Sequence, residues 1–92
     1  MKLASFLQGS QVRLGAVDGD ALIDLNRAYA ALLDTKGHPA SQATADAELP
    51  SDVVGFLTLG DPALAAGRDA LAHAQGVDPA AARAGLLRIP LS

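Results

Sequence analysis

The chain has no cysteine, no tryptophan and a single glutamate, Glu48, among its 92 residues. Without thiols it can build neither a disulfide framework nor a thiolate nucleophile. With one Glu it cannot contain a glutamate pair, and the other nine acids are Asp, most of them at turns and helix starts. Lys and Arg number only seven, scattered along a chain of net charge −3. No basic stripe results, so nucleic acid is not an expected partner. No window approaches the roughly 18 uninterrupted apolar residues of a membrane helix, so no membrane partner is expected. Lys2 leads into strand-like alternation rather than a long apolar run with a cleavage site, which argues against a leader peptide. These absences together predict a cytoplasmic protein.

Large side chains are scarce as well. Three aromatics (Phe6, Tyr29, Phe56) and 15 leucines must carry the core, because the 20 alanines each add little burial. A chain of this length makes one domain, residues 1–92, and buries only about 60–65% of its unfolded surface. A core this thin is expected to be completed by another domain or subunit.

What is there begins with period-two alternation. Leu3, Ser5 and Leu7 alternate with Lys2, Ala4 and Phe6, a strand pattern. Gln8-Gly9-Ser10-Gln11 is turn chemistry, and Val12, Leu14 and Ala16 alternate with Arg13, Gly15 and Val17 in a second strand. Asp18-Gly19 offers the positive φ that a two-residue hairpin needs, so residues 21–23 return as a short third strand. Leu25, Ala28, Tyr29, Leu32 and Leu33 then share one helical face, capped by Asp24 or Asn26 and stopped near Gly37-His38-Pro39. Residues 36–48 are small and polar without periodicity, and read as a mobile loop or at most a weak helical turn.

Pro50 opens a second helical region with Ser51 as its expected cap and Val53, Val54 and Leu57 as a short buried stripe ending at Gly60. Asp61-Pro62 supplies an N-cap and first helical residue for a helix carrying Leu64, Arg68, Leu71 and Gln75, with Gly76 as its C′ stop. Asp78-Pro79 starts one further turn through Arg83. Leu87, Ile89 and Leu91 alternate with Arg88 and Pro90 in a last strand that Pro90 restricts to a sheet edge. That strand has no natural finish, so the chain is expected to be a piece of a longer protein. The fold class expected is α+β: a small antiparallel meander of about three strands plus a C-terminal edge strand, packed with two to three short helices.

The candidates for chemistry each have a plainer explanation. Asp18-Gly19-Asp20 lacks the further oxygens and the terminal Glu of a calcium loop, and a hairpin turn accounts for it. His38 lies in the expected loop and His73 sits on a helix off its apolar stripe, so both read as solvent-facing rather than as a metal pair. None of Ser5, Ser10, Ser41, Ser51 or Ser92 stands in a Gly-x-Ser-x-Gly elbow. The glycines form no strand–loop–helix phosphate cradle. Arg13 and Arg27 could hold a substrate carboxylate if they lined a cleft, whereas an exposed Arg on an edge strand or a solvated helix face is the simpler reading. No catalytic, cofactor-binding or metal-ligating residue is therefore assigned.

The order of segments is more telling than any site. Met1-Lys2-Leu3, Phe6, Gly9, Arg13-Leu14-Gly15-Ala16-Val17, Gly19-Asp20 and Ile23-Asp24-Leu25 occur in sequence over residues 1–25. Leu49-Pro50-Ser51-Asp52, Phe56-Leu57, Gly60 and a helix over residues 63–74 follow. This succession resembles the N-terminal domain of bacterial fumarylacetoacetate hydrolase-family proteins, with residues 36–48 the least family-like part. The resemblance implies a cap ahead of a larger β-rich catalytic domain. That domain carries a Glu-x-Glu pair and a further acid binding Mg²⁺, or sometimes Mn²⁺ or Ca²⁺, and acts on 2-oxo acids, acylpyruvates or related diketo acids. The divalent ion would stabilise a developing enolate there.

A chain with one Glu cannot supply that ligand set, so the resemblance implies the parent's chemistry and withholds it, with its cofactor, from this chain. The function expected is a non-catalytic cap whose partner is the parent's catalytic domain, with a homodimer contact also possible. The alternative is a free-standing interaction or dimerisation module without enzymatic activity.

Overall fold

The computed structural model describes residues 1–90. Four antiparallel strands form one sheet in the order β1-β2-β3-β4: β1 Leu3–Gln8, β2 Gln11–Asp18, β3 Ala21–Asp24 and β4 Arg88–Pro90. Five helices accompany it: α1 Leu25–Thr35, α2 Ser41–Glu48, α3 Val53–Leu59, α4 Asp61–Gly76 and α5 Pro79–Ala84. The α+β class and the meander are as expected, and β4 is the expected edge strand, pairing Leu22 with Ile89. Leu91, the last residue expected in it, lies outside the described residues. The helices exceed the two to three expected.

Both hairpins close through two residues. Gln8 pairs with Gln11 around Gly9-Ser10, and Asp18 pairs with Ala21 around Gly19-Asp20. Gly9 and Gly19 take φ of +62° and +61° while the residues after them stay at negative φ, the pattern of a type II′ turn with Gly first. The second turn is thus centred one residue later than Asp18-Gly19, because Asp18 is kept in the ladder.

Residues 36–48 are corrected most. Instead of a loop, Ser41–Glu48 is a helix with no side-chain cap of its own. It is made by tertiary contact: Ser41 and Ala45 are buried, and Gln42 and Asp46 bond to Asn26 of α1. Tertiary packing overrides weak propensity here.

Helix starts differ from expectation for similar reasons. Asp52, not Ser51, caps α3, accepting from the Gly55 N–H at 2.6 Å. Ser51 Oγ instead accepts from the Leu14 N–H at 3.2 Å. That N–H points toward β3, which by then has turned into α1, so Ser51 satisfies a sheet donor that would otherwise be orphaned. With Asp52 and Phe56 setting its rotation, α3 buries Phe56 and leaves Val53, Val54 and Leu57 exposed, the reverse of the expected buried stripe. Asp61 is already helical, with Gly60 at the N-cap position. Gly76 is helical too, because the Val77 N–H closes the last turn onto Ala74 O without a left-handed residue.

The core lies on one face of the sheet. Pairing sets Leu14, Ala16 and Ile23 on that face, and they join Leu25, Ala28, Leu49, Phe56, Leu87 and the alanines of α4 and α5. Seven of the 13 cluster residues are alanine, which confirms how little large-side-chain burial holds the chain together. The buried side of α4 is Ala63, Ala66, Gly67, Ala70 and Ala74, with Leu64 and Leu71 only partly covered. Small residues let α4 lie close against α1, so the leucine spacing misplaces the contact face.

Two backbone positions give stability predictions. A Cβ on Gly15 would meet Ile23 O at 2.9 Å and Phe6 Cε1 at 3.0 Å, and the first of these is backbone that cannot yield. Gly15→Ala should therefore lower unfolding free energy by about 1–3 kcal/mol in a urea titration. Leu86 ends α5 at φ +61°, with the Leu87 N–H bonded back to Ala82 O, the geometry of a Schellman stop with Leu where Gly is usual. Leu86→Gly should raise the melting midpoint, reflecting release of about 1 kcal/mol of left-handed strain.

Candidate functional site

Arg13 and Arg27, the two cations considered for a substrate carboxylate, converge on a carboxylate of the protein itself. Asp24 ends β3, is fully buried, and caps α1 through Oδ1 to the Arg27 N–H at 3.2 Å. Arg13 grips it with both arms, Nε to Oδ2 at 2.7 Å and Nη2 to Oδ1 at 3.2 Å. The Arg27 Nε stands 3.8 Å from Oδ2. Neither simpler reading of these arginines holds, since β2 is a central strand and both side chains are largely covered.

The cluster extends through Asn26. Its Oδ1 accepts from Gln42 Nε2 at 2.9 Å and from Arg13 at 3.4 Å, and its Nδ2 donates to Leu49 O at 3.0 Å and Asp46 at 3.1 Å. One arginine of β2 thus links the sheet, the start of α1 and the whole of α2. This geometry fixes structure, with Arg13 fully engaged by Asp24 and Asn26 while Arg27 Nη1 is buried without a hydrogen-bond partner.

The other sequence candidates are dispersed. Asp18 accepts hydrogen bonds from Arg88 of β4 and, at 3.4 Å, from Gln75 of α4, so it ties three elements. The Arg88 bond is the main cause holding its carboxyl below the usual carboxylate range. His38 is exposed, its Nδ1 accepting from the Ala40 N–H, and His73 lies half-buried on α4. Ser41 Oγ donates to His38 O. Among the described residues no three His, Cys, Asp or Glu side chains converge, so they do not fit the divalent ion that the resemblance places in a parent enzyme.

A shallow depression of about 320 Å³ beside α1 and α4 contains Tyr29, Glu48 and Asp69. Burial, followed by the Tyr29 Oη–H donated to Glu48 at 3.1 Å, pushes the phenol above its ordinary range. Its two carboxylates, Glu48 and Asp69, stand beside the phenol with no serine, threonine or histidine in the lining, so no nucleophile–base pair is assembled there.

The surface with the clearest functional character is the second face of the sheet. Strand pairing sets Ala4, Phe6, Gly15, Val17, Leu22 and Ile89 on it, and none belongs to the core cluster. Phe6 lies over Gly15, and Leu22 is buried between its strand neighbours Val17 and Ile89. An antiparallel sheet that keeps one face in water usually makes that face polar. Here polar residues lie toward its rim, at Lys2, Gln8, Gln11 and the Arg13–Asp24 pair. The alternation of β1 and β2 held the signal: Ala4, Phe6, Gly15 and Val17 fall on the face opposite Leu14 and Ala16, where a one-sided sheet does not require apolar residues.

No protein-family model, curated protein or solved structure matches the chain. Among the described residues no helix is long and apolar enough to cross a membrane.

Removing the Asp24 carboxylate leaves Arg13 partly buried without its counter-charge and α1 without its cap. Asp24→Ala should cost about 3–5 kcal/mol of stability by urea titration. At Asp18 the depressed pKa means stabilisation that is complete above the ordinary value of 3.8 and lost as pH falls through the lower folded-state value. Acid unfolding followed by circular dichroism should show a shallower loss of stability below about pH 4 in Asp18→Asn than in the parent chain.

Proposed function

We propose that this chain is a non-catalytic cap domain of a fumarylacetoacetate hydrolase-family enzyme, and that it packs on the parent's catalytic domain through its second sheet face. The observation that carries the reading is the half-buried apolar strip of Phe6, Val17 and Ile89 around the buried Leu22, on the sheet face away from the main core cluster. A 92-residue chain with an alanine-rich core has little stability to spare, and covering that strip would add apolar burial at about 25 cal/mol per Å².

The residues behind the resemblance support a structural role. Gly9 and Gly19 make hairpin turns, Gly15 makes room for Phe6, and Arg13 and Asp24 pair with each other. All of them position backbone, and none faces a cleft with a nucleophile or a ligand set. The chain's contribution would be to brace the catalytic domain, while a divalent ion and its acids belong to that other domain.

An antibody raised against this chain should detect, in lysate of the native host, a product well above 9.3 kDa. The purified 92-residue chain should show no chelator-sensitive turnover of acylpyruvates. A native product of 9.3 kDa would defeat the cap assignment, and metal-dependent turnover by the chain alone would defeat its non-catalytic half.

A further inference from the structure

The two edges of the sheet are unequally guarded. β4 is three residues long and carries Arg88 and Pro90, a charge and a missing N–H that both discourage pairing. β1 is six residues long, LASFLQ, with neither charge nor proline. The Gln8–Gln11 pair flanks a two-residue turn, so these residues exchange both hydrogen bonds, and the period of two sends the polar groups of Ala4, Phe6 and Gln8 to β2. The Val17 N–H bonding Lys2 O at 2.8 Å agrees with that phase. The N–H and C=O of Leu3, Ser5 and Leu7 therefore face outward along an open ladder.

From this we propose that β1 pairs with β1 of a second copy, antiparallel about a two-fold axis at Ser5, to give a continuous eight-stranded sheet. The edge is self-complementary in this register. Ser5 faces Ser5, and Leu3 of each copy faces Leu7 of the other, each pair joined by two backbone hydrogen bonds. Moving the axis by one residue either way sets a leucine against serine and pairs fewer residues. The same register gathers apolar surface. Leu7 is 72% exposed and Leu57 67% exposed. A groove of about 230 Å³ between β1 and α3 is lined by Leu3, Leu14, Val53, Phe56 and Leu57. Leu7 of the second copy enters beside Leu3 at the mouth of this groove and covers Val53 and Leu57.

The strand edge and this groove rim make a contact at the small end of specific interfaces, so a Kd on the order of 100 µM is expected. The pairing uses an edge and leaves the second sheet face free, so it stands or falls separately from the cap reading.

Sedimentation equilibrium of the full chain from 10 µM to millimolar concentration tests it. The average mass should climb from 9.3 kDa toward twice that value. Leu7→Lys, at an exposed position, should weaken association at least tenfold while circular dichroism stays unchanged. The double variant Leu3→Glu/Leu7→Lys should recover most of it, because the register sets the new charges opposite each other only between copies. Since the chain has no cysteine, introduced thiols report the axis directly. Ser5→Cys should oxidise readily to a covalent dimer, the paired Cα atoms lying about 5.5 Å apart. Leu7→Cys should not, its two thiols being displaced by about 14 Å along the strands. A mass fixed at 9.3 kDa through millimolar concentration, association indifferent to Leu7→Lys, or cross-linking of Leu7→Cys as fast as Ser5→Cys would each overturn the proposal.

Discussion

The buried carboxylate of Asp24 is the constraint around which the chain is organised. It stands where β3 becomes α1, and it caps the helix with one oxygen while both oxygens take the guanidinium of Arg13. A fully buried charge is tolerable only when its lone pairs are filled. Here they are filled from the sheet and from the helix together, so the angle between the two is set by hydrogen-bond geometry. Asn26 then passes the same network to α2, and the Asp24 N–H is held by Leu87 O, which brings the C-terminal strand home. Because the alanine-rich core is weakly selective about how its parts pack, polar contacts of this kind carry unusual weight in choosing one arrangement.

A second organising feature is the one-sidedness of the layers. Helices and core residues gather on the Leu14–Ala16–Ile23 face, and the opposite face keeps an apolar strip of its own. The close approach of α4 through Ala63, Ala66, Gly67, Ala70 and Ala74 makes a thin, well-fitted interior. On α3, where Phe56 alone turns inward, Val54 and Leu57 are left outside. Exposed apolar side chains therefore gather along the β1 edge and α3, at Leu3, Leu7, Val53, Val54 and Leu57, while Phe6, Val17 and Ile89 on the opposite sheet face are half-buried.

Much of the strand framework was legible beforehand because its signals are local. Gly9 and Gly19 demand hairpin turns wherever they sit between alternating runs, and Asp24 ahead of Leu25 marks a helix start in any context. The helix at Ser41–Glu48 was not legible, because its cap is missing and its stability comes from Asn26, a residue 16 positions before Gln42. The exchange of roles between Ser51 and Asp52 was equally hidden. Either side chain can cap a helix, and only the unfilled Leu14 N–H decides which one is needed elsewhere. Arg13 and Arg27 drew notice as free cations for the same reason: their counter-charge lies 11 and three residues away, and only pairing of β2 with β3 brings the distant one into reach.

By itself, then, the sequence determined the number and order of the first strands, the places where the chain turns, and the poverty of groups for thiol, paired-glutamate or nucleic-acid chemistry. These depend on residue type and near neighbours. Tertiary structure alone decided which face of each helix is inside, where α2 exists at all, and which polar side chains are spent on one another. It also decided that β1 is left as an open, uncharged edge beside an apolar groove. The physical reason is common to all of these: burial and hydrogen-bond satisfaction are properties of the assembled layers, and a side chain's partner across a sheet or between helices is invisible until the layers meet.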